Sequence, residues 1–131
     1  MKDRRSTEDY LKIIYLLSQT KAVHACHVGK SMDLSRATVC VALKRLADEG
    51  YLQVDKENVI RLTEQGLQVA QRTCDKYQLL KSFLMRLGVE EASATQDACK
   101  MEHDLSSESY AALKQFMRSP NEGKMGEWYQ V

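Results

Sequence analysis

Apolar residues recur at helical spacing near the start of the chain. Tyr10, Ile13, Ile14 and Leu17 fall on one face behind Ser6-Thr7-Glu8-Asp9, which predicts an amphipathic helix opened by a short-acid capping box, Ser6 to Asp9. A brief helix over about 26–32 follows, then a turn at Asp33-Leu34. Ser35 is suited to cap a third helix that turns Val39, Leu43 and Leu46 inward and stops at Gly50. The period then changes. Tyr51-Leu52-Gln53-Val54 alternates, Asp55-Lys56-Glu57-Asn58 is polar, and Val59-Ile60-Arg61-Leu62 turns apolar again, the pattern of a β-hairpin with an irregular tip. Thr63 caps a long helix carrying Leu67, Ala70, Leu79, Leu80, Phe83 and Leu84 as far as Gly88. A helix from about 92 bears Cys99, Glu102 and His103 and breaks at Leu105-Ser106, where Ser106 caps a last helix with Tyr110, Leu113, Phe116 and Met117. Met85, Met101 and Met117 read as core fillers.

Composition narrows the class without naming a function. The 131 residues are 44% hydrophobic, with one proline, and at ~100–200 residues per domain this is one domain or two small subdomains. No apolar run reaches the roughly 18–20 residues that cross a bilayer, and the charged opening MKDRRSTEDY lacks a signal-peptide core. A cytoplasmic protein with no membrane partner is expected. The four cysteines, Cys26, Cys40, Cys74 and Cys99, form no C-x-x-C, and in that compartment they read as reduced thiols. A net charge of +1, from 19 basic and 18 acidic side chains, excludes a strongly basic tail but not a local basic surface. No nucleophile elbow, Gly-rich phosphate loop or paired-histidine zinc helix is present, so the reading is not an enzyme.

Helix, short helix, turn, helix, hairpin is the order of a winged helix-turn-helix, whose second helix fits a major groove. The groove-facing end here is Ser35, Arg36, Ala37 and Thr38, continued by Val41, Lys44 and Arg45. Arg36 can donate to guanine or phosphate, Ser35 and Thr38 to phosphate, and Ala37 and Val41 can meet a thymine methyl. Lys56 and Arg61 are candidates for backbone contacts from the wing. The same order also occurs in protein-interaction modules, and Lys44 and Arg45 are equally readable as a solvated face. Further on, Cys99, Glu102 and His103 stand at i, i+3 and i+4, on one helical stripe. Thiolate, carboxylate and imidazole are transition-metal ligands. One helix cannot enclose an ion, and Glu8 and Asp9 are the acids available to complete a site; the alternative is a partly buried histidine paired with Glu102. Asp104 points about 100° away around the helix. His24, Cys26 and His27 are metal-binding types in close sequence, read here as packing or surface residues. Cys40, beside Val39 on the third helix, is either core or DNA-facing.

Two segments at these positions resemble the diphtheria toxin repressor family and its manganese transport regulator branch. They are Thr7-Glu8-Asp9-Tyr10-Leu11 with Ile14-Tyr15, and Asp97-Ala98-Cys99-Lys100-Met101-Glu102-His103 before Leu105-Ser106. Ser35-Arg36-Ala37-Thr38-Val39, Gly50-Tyr51-Leu52 and Leu62-Thr63-Glu64-Gln65-Gly66 lie between them in family order, and the resemblance spans about 6–118. It implies a mainly α fold: a winged helix-turn-helix DNA-binding domain at 1–63, an all-helical metal-binding and dimerisation domain at 64–118, and a flexible tail at 119–131 anchored only by Trp128. It also implies a short form without the family's SH3-like domain. The implied activity is metal-dependent repression: a homodimer bound to a palindromic double-stranded DNA operator, with one divalent transition metal per subunit. Fe²⁺ or Mn²⁺ is expected, with Co²⁺, Ni²⁺ or Zn²⁺ able to substitute. The implied ligands are Asp9, Cys99, Glu102 and His103, with Glu8 as a possible extra. The family's second-site ligands fall on Tyr77, Lys81, Thr95 and Lys12, so a single site is expected, with Lys12 or Lys81 supplying the lost charge. The rival readings are a DNA-binding dimer that is metal-independent or thiol-sensing, and a winged-helix protein-interaction module.

Overall fold

The computed structural model describes residues 2–118, with side chains from Arg4 onward; the expected tail at 119–131, Trp128 included, lies outside them. Six helices and one hairpin follow in the order α1 (Lys2–Ser18), α2 (Ala25–Met32), α3 (Arg36–Asp48), β1 (Leu52–Val54), β2 (Ile60–Leu62), α4 (Glu64–Arg86), α5 (Glu91–Met101) and α6 (Ser107–Arg118). Mainly helical, with a winged helix-turn-helix in front, the fold class is the one expected. Two compact units divide at Cys74 and Asp75, inside α4.

In the first unit, Tyr10, Leu11 and Ile14 of α1 meet Val28 of α2, Val39, Leu43 and Leu46 of α3, Leu52 and Ile60 of the hairpin, and Ala70 of α4 in one core. Each large aliphatic side chain so buried contributes about 1.5–3 kcal/mol. The caps are those the residue types favour. Ser35 is extended, and its Oγ accepts from the Thr38 amide at 3.2 Å. Thr63 Oγ1 accepts from the Gly66 amide at 3.2 Å and donates to the Gly50 carbonyl at 2.7 Å, joining the end of α3 to the start of α4. Asp33 closes α2 in the left-handed region (φ 55°), a conformation aspartate tolerates. Strands β1 and β2 pair antiparallel as Leu52↔Leu62, Gln53↔Arg61 and Val54↔Ile60. The Ile60 amide also donates to the Val23 carbonyl at 2.8 Å, which fastens the hairpin to the segment before α2.

Three expectations change. First, α1 begins at Lys2, so Ser6 lies inside a helix and caps nothing. Lysine and arginine lose little rotamer freedom in a helix, and the Arg4–Glu8 pair at 3.6 Å supports the added turn. Second, α5 ends at Met101, and Glu102 is its C-cap rather than an interior residue. The Asp104 amide donates to the Met101 carbonyl at 3.1 Å, tightening the chain toward Ser106, whose Oγ accepts from the Ser109 amide. Third, Met85 and Met101 are 42% and 38% exposed rather than core. No residue of α6 is buried, and Met85 and Met117 line an open groove of about 810 Å³ in the second unit.

Candidate metal and nucleic-acid sites

Helix α3 presents its apolar stripe to the core and leaves the opposite side to solvent. Ser35, Arg36, Ala37, Thr38, Val41 and Lys44 are all exposed, Val41 at 72%. In chemistry, an exposed large apolar side chain on the same helix as exposed Arg36 and Lys44 matches a groove lined by phosphates and thymine methyls. Ser35 Oγ donates to Thr38 Oγ1 at 2.9 Å, fixing the N-terminal turn. Lys56 is exposed at the wing tip. Asp55 shapes that tip by accepting from the Glu57 and Val59 amides at 2.8 and 3.0 Å. These backbone donors, Val59 foremost, hold its carboxyl below the usual range. Arg61 Nε pairs with Asp55 at 3.5 Å.

Arg45 behaves differently from its neighbours. Half-buried, it donates through Nη1 to Thr7 Oγ1 of α1 at 3.2 Å, and the same nitrogen lies 3.2 Å from Glu49 Oε1. Burial pushes the hydroxyl of Tyr10, one turn along α1, upward, and the Arg45 charge partly opposes this. Sequence patterning gave no sign of the link, because Thr7 and Arg45 are 38 positions apart.

Cys40 is exposed, not core. With His24, Cys26, Arg36 and Lys44 it lines a cavity of about 520 Å³ in the first unit. His24 donates its amide to His27 Nδ1 at 3.0 Å, and its own Nδ1 lies 2.9 Å from the Asn58 carbonyl. That second contact is a hydrogen bond in the tautomer protonated at Nδ1. These histidines thus cap α2 and brace the wing, the packing role expected of them. Burial, then the charges of Lys21, His24 and Lys30, lower the His27 pKa.

In the second unit, Cys99 is half-buried on α5, and Glu102 and His103 follow in the turn. Glu102 Oε1 and His103 Nε2 are 3.4 Å apart, and the two residues are only 1% and 8% exposed. A carboxylate and an imidazole meeting out of water are a costly arrangement, compensated by mutual pairing or by a cation. The donor set fits a divalent transition metal, since thiolate, carboxylate and imidazole each bind such ions as soon as they are deprotonated. Asp104 is exposed. Lys76, itself buried, donates Nζ to the Leu105 carbonyl at 3.2 Å and so holds the end of the turn carrying Glu102 and His103. This is a second long-range contact without a local sequence signal. Among the residues at the second-site positions, Tyr77 and Thr95 are half-buried, and Lys81 pairs with Glu91 at 3.3 Å. Lys81 therefore has an acidic partner of its own. In the first unit Asp9 is half-buried, Glu8 is buried with Arg4 at 3.6 Å, and Lys12 is buried.

Residues 4–60 match the iron dependent repressor N-terminal DNA binding domain, and residues 63–127 match that family's metal binding and dimerisation domain. The chain belongs to the iron dependent repressor family. It is 35% identical over 116 residues to an HTH-type transcriptional regulator of Methanocaldococcus jannaschii, covering 86% of this chain and 93% of that protein. It is 32% identical over 114 residues to the transcriptional regulator MntR of Salmonella typhimurium, covering 86% and 73%. The solved structure of the manganese regulator SloR superposes with a TM-score of 0.77 at 30% identity, over 87% of this chain and 54% of that one. The chain thus spans about half the length of that solved protein. These relatives are transcriptional regulators, not enzymes, and the family is metal-dependent. Among the described residues, no helix is long and apolar enough to cross a membrane.

Proposed function

We propose that this family member is a metal-responsive repressor that binds a palindromic DNA operator as a homodimer when loaded with one Fe²⁺ or Mn²⁺ per subunit. The observation that carries this reading is the buried Glu102–His103 pair, a turn beyond Cys99, in the domain matched as metal-binding. Asp9, Cys99, Glu102 and His103 would hold the ion, with Glu8 as a possible extra ligand. The ion supplies a concentrated positive charge that stabilises deprotonated ligands. The chain's own part is to present them: Lys76 holds the ligand turn through Leu105, and α1 carries Asp9. Ser35, Arg36, Ala37, Thr38, Val41 and Lys44 are assigned to the operator, with Lys56 on the flanking phosphate. Arg45 joins that set only if it leaves Thr7. The assignment places operator reading in 1–63, and metal binding with dimerisation in 64–118.

The test is a Cys99→Ala, His103→Ala double variant, assayed by gel retardation on duplexes that the wild-type chain selects from a random pool with Mn²⁺ present. The variant is expected to lose metal-dependent retardation. Undiminished metal-dependent retardation contradicts the assignment. A second reading, thiol sensing, is favoured by one observation: Cys26 and Cys40 are both exposed thiols on one cavity beside the reading helix. It predicts retardation that mild oxidant abolishes and metal leaves unchanged.

A further inference from the structure

Helix α3, assigned above to the operator, makes a polar contact with α1 on its flank. Arg45 lies on the flank of α3 between the buried stripe and the exposed one, and its Nη1 reaches Thr7 Oγ1 at 3.2 Å. Thr7 is only 7% exposed. Its hydroxyl is therefore held in a fixed place, and a guanidinium bond to it is a stiff connection rather than a surface contact. Glu49, four residues on from Arg45, accepts from the same nitrogen at 3.2 Å and keeps the guanidinium oriented. On α1, Thr7 and Asp9 are two residues apart, so their side chains point about 200° from each other around one rigid helix. One side of α1 thus carries a proposed metal ligand, while the other carries the acceptor that holds the reading helix.

We infer that Thr7 and Arg45 form a strut through which the position of α1, set at Asp9, is passed to α3 and so to DNA affinity. The inference rests on the function proposed above and assigns its internal coupling. Both residues are positioning residues, and neither needs to touch the ion. A coupling of this kind acts only by favouring one placement of α3 over another, so it alters the response to metal and leaves the affinity for metal nearly unchanged. A phosphate-contacting Arg45 predicts something else, a loss of DNA affinity that is the same with and without metal.

The experiment compares wild type, Thr7→Val, Thr7→Ser, Arg45→Met and the Thr7→Val, Arg45→Met double variant. Three quantities are read: Mn²⁺ binding by calorimetry, affinity for a pool-selected duplex with and without Mn²⁺, and melting temperature of the metal-free chain. Thr7→Val is nearly isosteric and removes only the hydroxyl, while Thr7→Ser keeps it. The strut predicts Mn²⁺ affinity of the DNA-free chain within about twofold of wild type in every variant. It predicts that the Mn²⁺-induced gain in DNA affinity falls by at least ~fivefold, the lower end of a typical coupling, in Thr7→Val and Arg45→Met alike. Thr7→Ser should retain the gain, and the double variant should be no worse than Arg45→Met in either the gain or the metal-free melting temperature. Full gain in a folded Thr7→Val overturns the strut, as do additive effects in the double variant. A wild-type chain whose DNA affinity ignores Mn²⁺ overturns the proposed function, and the strut with it. A wild-type gain that survives in Thr7→Val overturns the strut alone.

Discussion

Glu102 and His103 are neighbours in the chain whose side chains meet at 3.4 Å in a place almost closed to water. Their chemistry makes the first prediction. Glu102→Gln keeps the shape but removes the charge, and it should weaken Mn²⁺ binding by at least ~10–100-fold, the loss already seen for residues that merely support ligands; calorimetry checks this. The residue types of this pair were legible in the sequence, as was the spacing to Cys99. That the pair lies just past the end of α5 was not, because helix termination there depends on the backbone bond from Asp104 to Met101. Asp55 offers a pH prediction at the same scale. Its folded carboxyl sits below the ordinary 3.8, chiefly through the Val59 amide. The stabilisation is therefore fully present above about pH 4 and is lost as pH falls through the depressed folded value. Amide exchange at Glu57 and Val59 should show constant protection of the wing tip from neutral pH to about 4, then a loss below it. Asp55→Ala should show that loss at neutral pH.

Among the elements, the ends proved easier to read than the flanks. Ser35 and Thr63 cap, and Gly50 takes a positive φ, within a few residues of themselves, so these local roles follow from residue type, whereas the bond from Thr63 to the Gly50 carbonyl does not. Ser35→Ala should destabilise the chain by about 1 kcal/mol and fray the start of α3, read as a lower denaturation midpoint. Gly66 depends on a tertiary approach that no local pattern shows. A Cβ at that position would stand 1.9 Å from the Tyr51 carbonyl oxygen, so the start of α4 can approach the hairpin only without a side chain. Gly66→Ala should cost about 1–3 kcal/mol or more through overpacking, measured in the same denaturation series. The flank of α3 likewise depends on a tertiary approach. Helical spacing places Arg45 near Val41 and Lys44, but the proximity of Thr7 on α1 decides what its guanidinium does.

For the whole molecule, hydrophobic periodicity conveyed the order of elements and the change of period at the hairpin, and hence the mainly helical, winged class. It could not tell α6 from a buried helix. Its apolar positions repeat at the right interval, but none of its residues is buried within one chain. The near balance of 19 basic and 18 acidic side chains suits a protein whose proposed DNA contacts lie on one helix and a wing. Arg36→Ala should lower affinity for the selected duplex by about 1–3 kcal/mol if it reads a base, and the loss should shrink on a duplex altered at that base. The central claim is that metal controls DNA binding, and the most direct measurement is the affinity of the wild-type chain for a pool-selected duplex, titrated with Mn²⁺ at fixed ionic strength. The account predicts a saturable gain of roughly 5- to 150-fold that chelator reverses; an affinity unchanged from chelator to saturating Mn²⁺ would contradict it.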